Sequence, residues 1–80
     1  MKIEVTQEDI DEGVAGDCEA CPIAQAGFRA TLSHTQVMGK RIRLYGVWRD
    51  LPPEAINFVL RFDNGGLVTP FSFEVDCHEY

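Results

Sequence analysis

Thr35-Gln36-Val37-Met38-Gly39-Lys40-Arg41-Ile42-Arg43-Leu44-Tyr45-Gly46-Val47-Trp48 is the stretch that decides the fold. Arg41, Arg43 and Tyr45 alternate with Ile42, Leu44 and Val47. A period of two sends the arginines to one side of a strand and the aliphatic residues to the other. Gly39-Lys40 supplies a turn, so residues 35–48 are predicted to form a hairpin with the arginines pointing away from the core.

The flanking segments extend this pattern. On the N-terminal side, Pro22 opens a helix that runs to about Leu32, since proline's missing N–H costs nothing at the first helical position. Ile23, Ala24, Ala26, Gly27, Phe28, Ala30 and Leu32 make that helix small and apolar over much of its circumference, suited to close packing on a sheet. Further back, Thr6 caps a short helix with Asp9 in the reciprocal position of a capping box. Glu8 and Asp9 favour the positive end of its dipole, and Gly13 and Gly16 end it. Ile10 and Val14 share its buried side. Residues 2–6 alternate with Ile3 and Val5 on one face and read as a strand. On the C-terminal side, Pro52-Pro53-Glu54 opens a helix with a buried stripe of Ile56, Val59, Leu60 and Phe62, closed by Asn64-Gly65-Gly66. Pro70 then precedes Phe71, Phe73 and Val75, which alternate with Ser72, Glu74 and Asp76 as a last strand. The expected class is α+β, a small antiparallel sheet with helices packed on one face, in the β-α-β-β-α-β order of the ferredoxin-like fold. Another small α+β sheet remains open, because strand order is not written in the sequence.

The chain has 80 residues and a formal net charge of −6, so a single domain spanning 1–80 is expected, with a small core. There is no apolar run of membrane-span length, and the first residues contain no apolar signal stretch. A cytoplasmic location and no membrane partner follow as expectations. A strongly acidic balance opposes direct nucleic-acid binding, since each phosphate contact needs a basic group. The third strand offers Arg41, Arg43 and Tyr45 but lacks the aromatic pattern of RNA-recognition sheets. The charge is uneven: residues 1–28 carry a net −6, residues 29–61 a net +4 and residues 62–80 a net −4. Internal pairing explains part of this, with Arg41 and Arg43 facing Glu4 or Glu74 on adjacent strands. The sharper reading is an acidic face made by Glu8, Asp9, Asp11, Glu12, Asp17 and Glu19, presented to a basic protein partner.

Cys18, Cys21 and Cys77 are odd in number, which argues against a disulfide framework. Cys18-x-x-Cys21 with Cys77 and His78 has the ligand types of a Cys₃His zinc site, although adjacent residues of a strand point to opposite faces. A low-pKa redox thiol ahead of Pro22 is a further option. Plain packing at the helix entry is favoured for Cys21, and no metal or cofactor is expected. His34 lies just past a helix, where the dipole suits a cation. No nucleophile–base pair, phosphate loop or metalloprotease motif is present, so the chain is expected not to be an enzyme.

Thr6-Gln7-Glu8-Asp9-Ile10-Asp11-Glu12-Gly13, followed by Cys18-x-x-Cys21-Pro22-Ile23-Ala24-x-Ala26, resembles a group of short proteins of bacteriophages and their actinobacterial or proteobacterial hosts. These share a T-x-x-D-I-x-x-G…C-x-x-C-P-I/V-A-x-A pattern. The resemblance covers the N-terminal part of the chain and implies a small, acidic, phage-associated protein in a host bacterial cell. By analogy with acidic single-domain inhibitors of bacterial defence, it implies an anti-CRISPR protein directed at a type I effector complex, type I-C in particular. Such a protein acts as a monomer and a DNA mimic. The N-terminal acids would lie on the basic channel, and Arg41, Arg43, Tyr45 and Trp48 would form a second patch, since arginine and aromatics anchor interfaces. The alternative is a small zinc-binding or structural module, virion or host-regulatory, built on Cys18 and Cys21.

Overall fold

Two antiparallel sheets share one apolar core in the computed structural model, which describes residues 1–75. In chain order the elements are β1 (Lys2–Val5), α1 (Gln7–Glu12), α2 (Pro22–Thr31), β2 (Gln36–Met38), β3 (Arg41–Leu44), β4 (Val47–Asp50), α3 (Pro53–Asp63) and β5 (Phe71–Glu74). The α+β class stands. The arrangement differs from a single ferredoxin-like sheet: β1 pairs only with β5, and β2-β3-β4 form a separate meander.

The meander exists because the chain reverses twice. Gly39, at φ +60°, opens the first two-residue turn, in the position where such hairpins require glycine. Tyr45 and Gly46 both have positive φ, 51° and 77°, the signature of a type I′ turn. The expected hairpin therefore gains a third strand. Its register places Val37, Ile42 and Arg49 in one row and Gln36, Arg43 and Trp48 in the next, on the opposite face. Ile42 and Leu44 are fully buried, and α2 packs on this inner face as well as on β1. The pairing of Lys2 with Glu74 through Val5 with Phe71 closes the other sheet. Val75 extends it by exchanging hydrogen bonds with Met1.

Helix α3 docks through aromatic rings. Phe58 is buried and stacks on Phe71 at 4.8 Å, and Phe71 stacks on Phe73 at 5.5 Å. The stripe expected on this helix is thus rotated: Ala55 and Phe58 form its buried centre, Ile56, Val59 and Phe62 flank it, and Leu60 faces solvent. Ring area won over aliphatic spacing, because aromatic side chains bury the most surface per residue. Helix α1 is short, as Gly13 predicted. Ile10 packs against the core while Val14, one residue past the cap, is exposed. Two glycines are needed for close approach: a Cβ at Gly13 would stand 2.5 Å from Cγ of Pro22, and one at Gly27 2.7 Å from Cγ2 of buried Thr35. Trp48 lies on the outer face with 38% exposure.

Candidate functional site

The acidic segment is built on one buried polar tie. Thr6 Oγ1 accepts from the Asp9 N–H, and an Asp9 carboxylate oxygen accepts from the Thr6 N–H at 2.9 Å, completing the capping box. The same carboxylate receives both terminal nitrogens of Arg29, at 2.6 and 2.7 Å, and Arg29 also donates to the Glu4 carbonyl at 2.7 Å. One guanidinium therefore fastens α1, α2 and β1 together. Bidentate pairs of this kind are among the stronger polar contacts. Burial alone would raise the Asp9 pKa. The Arg29 fork and the Thr6 N–H outweigh it, so the carboxyl titrates below its ordinary value. In return, the hydrogen bonds it donates to Asp9 hold Arg29 above its usual value.

This corrects the role of one expected contact residue. Asp9 is 3% exposed and fully engaged inside the molecule, so it offers no charge to a partner. The other five, Glu8, Asp11, Glu12, Asp17 and Glu19, are all exposed. Asp11 accepts from the Gln7 amide at 2.9 Å. Asp17 closes a turn by accepting from the Glu19 and Ala20 N–H groups. Glu8 and Glu12 form no ion pair among the described residues, and Glu8 contributes only longer-range attraction to Arg29.

The loop carrying Asp17 and Glu19 is fixed at several points. Val14 N–H donates to the Ala20 carbonyl, Cys21 N–H to the Asp17 carbonyl, and Val37 N–H to the Cys18 carbonyl. The Gln25 amide donates to the Ala20 and Glu12 carbonyls, at 2.9 and 3.2 Å. Gly16 N–H donates to Asp63 at 3.0 Å. These bonds fix the backbone of the loop that carries the two acids. Between α1, α2 and the residues before β2 lies a groove of about 340 Å³. Glu8, Glu12 and Glu19 line it beside Phe28 and His34, with Asp9 among the lining residues. The His34 ring is 2.8 Å from Glu19, an ion pair whenever the ring is protonated. Phe28 is 54% exposed. Its place at the rim was not legible from helix spacing, which put it with the apolar residues of α2.

Cys21 is the N-cap of α2, and its sulfur accepts from the Ala24 N–H at 3.4 Å. Desolvation outweighs that hydrogen bond and pushes the thiol above its ordinary value. Reactive and metal-binding cysteines need the thiolate, so this thiol is suited to capping and packing. Cys18 is half-buried nearby, and both thiols are free. Cys77 and His78, the other two ligands weighed for zinc, lie outside the described residues. Among those described, no three His, Cys, Asp or Glu side chains converge as a metal site.

The arginines expected to pair with Glu4 or Glu74 do not. Arg41 is 3.4 Å from Asp50 across β3-β4, and Arg43 donates to Gln36 across β2-β3. Glu4 and Glu74 belong to the other sheet, beside Lys2 and the N-terminal amine. No helix is long and apolar enough to cross a membrane among the described residues. Comparison with protein-family models, curated proteins and solved structures found no match to this chain.

Proposed function

We propose that this chain is a non-catalytic, phage-associated inhibitor of anti-CRISPR type. In this reading its acidic face covers a basic nucleic-acid-binding surface of a type I CRISPR effector complex and excludes target DNA. The observation that carries the reading is the fixed acidic face: five exposed carboxylates on α1 and the loop after it, with no basic residue between Ile3 and Phe28. Arg29 is committed to Asp9, and Glu8 and Glu12 form no ion pair among the described residues. Steering by such a face accelerates encounter with a cationic channel and weakens as salt screens it.

Charge complementarity points to a basic partner, and the N-terminal resemblance supplies the phage and CRISPR context. Burial holds the Cys21 thiol above its ordinary value, which disfavours it as a nucleophile at neutral pH. The test is a gel shift of target DNA by a purified type I-C effector complex, with this chain added at low and high salt. Loss of DNA binding at low salt, restored by the variant E8Q/D11N/E12Q/E19Q, supports the proposal. Undiminished DNA binding at both salt concentrations overturns it, and equal inhibition by the variant overturns the assignment to the acidic face.

A further inference from the structure

The outer face of the meander has the opposite character. Its two rows are Gln36–Arg43–Trp48 and Met38–Arg41–Asp50. Helix α2 packs on the inner side of the strands, so this side faces solvent. Met38 is 58% exposed and Tyr45 54%, with Trp48 beside them. Lys40, Arg41 and Arg43 make the face cationic, with Asp50 the one acid on it. Lys40 forms no ion pair among the described residues. Strand β4 is hydrogen-bonded on one side only. Tyrosine, tryptophan, methionine and arginine are the types enriched where proteins meet.

Tyr45 adds a separate sign. It holds φ at +51°, a region that bulky side chains occupy at a cost and that Asn or Gly would fill without strain. The ring is exposed, so internal packing does not explain its retention there. Strain kept at an exposed aromatic points to use of that side chain.

We infer that this face docks a second copy of the chain, receiving that copy's acidic α1 face head to tail. The complement is present on every copy. Glu8 and Glu12 on α1 form no ion pair among the described residues, and exposed Phe28 and Val14 lie nearby as apolar partners for Trp48, Tyr45 and Met38. Within one molecule α1 rests on α2 and α2 on the inner side of the meander, so the two faces cannot meet. A polyanion such as single-stranded nucleic acid fits less well: the net charge of −6 repels it, and Met38 offers nothing to phosphates. The repulsion between whole copies is screened beyond about 8 Å at physiological salt, while the facing charges meet at contact. Such a contact is heterologous and open-ended, and departs from the monomer expected from sequence. It also occupies the acidic face, so it competes with the partner proposed above.

Sedimentation equilibrium with two variants tests this. K40Q/R41Q neutralises the receiving face, and E8Q/E12Q neutralises the inserted one. Circular dichroism checks that both fold. Wild type is expected to rise in mass with concentration at about 20 mM NaCl and to return to 9.0 kDa at about 0.5 M. Each variant alone is expected to stay monomeric, while an equimolar mixture forms a capped pair of twice the monomer mass. Trp48, the single tryptophan, should shift its fluorescence in the mixture and not in either variant alone. A wild type that is monomeric at every concentration and salt overturns the inference. So does a mixture no larger than its components, or a Trp48 response to oligothymidylate but not to a second copy. K40Q/R41Q keeps the acidic face intact and should still block DNA binding by the effector complex, so the two proposals can fail separately.

Discussion

The N-terminal region, residues 1–32, and the β2–β4 meander solve the same problem with different means. The meander is held by apolar burial: Val37, Ile42 and Leu44 face inward, and Gln36, Arg41 and Arg43 face out with weak cross-strand partners. The N-terminal region buries Ile3, Val5 and Ile23 and adds a polar tie, in which Arg29 joins β1, α1 and α2 through Asp9 and Glu4. One carboxylate of the acidic segment is thereby structural, while its sequence neighbours are left for solvent or a partner. Charge count alone does not separate those roles; burial does.

The largest expected effect lies in the meander. Ile42→Ala removes a fully buried side chain facing α2 and should cost about 3 kcal/mol in urea unfolding, within the range of cavity-forming substitutions. A loss below about 1 kcal/mol would mean that the meander does not rely on this core. Next comes the polar tie. Arg29→Ala strands the Asp9 carboxylate and should cost about 2 kcal/mol, below the figure for fully buried pairs because the Arg29 side chain is half exposed. The pH dependence sharpens this comparison. The native Asp9 pKa lies below the ordinary 3.8, so on acidification the unfolded chain binds this proton first. The stabilisation is complete above 3.8 and is lost as pH falls through the native value. Asp9→Asn should flatten that part of the acid limb in a pH series of melts, whereas Glu12→Gln should leave it unchanged.

A smaller effect is expected at the junction of the two regions. Gly27→Ala brings a methyl group against Thr35 and should lower stability by about 1–2 kcal/mol, as overpacking does. The smallest has the opposite sign. Tyr45→Asn relieves a left-handed tyrosine and should raise stability by about 0.5 kcal/mol. An equal loss instead would show that the ring packs productively within the monomer.

Much of the architecture could be read from period and punctuation. The alternation in Arg41–Leu44, the Thr6–Asp9 capping box and the Pro22 helix start each state a local preference that the fold keeps. The division into two sheets could not, because Tyr45-Gly46 reads as a continuing strand unless tyrosine is allowed a positive φ, which is costly for that residue. The stripe on α3 was misplaced because Phe58 stacks on Phe71, a partner far along the chain. The acidic segment was legible as charge, but Asp9 could be separated from it only by its contact with Arg29, twenty residues away. Cap and ion pair share the same carboxylate, and only the cap has a sequence signature.

The central claim is that the acids exposed around α1 engage a basic surface. Its most direct test is the dissociation constant of this chain for immobilised type I-C effector complex as a function of salt, for wild type and E8Q/D11N/E12Q/E19Q. Wild-type affinity that falls steeply with salt, and a variant that binds weakly with a flattened slope, is the predicted result. Tight binding with the same salt slope in both proteins, or no binding by wild type at low salt, would contradict it.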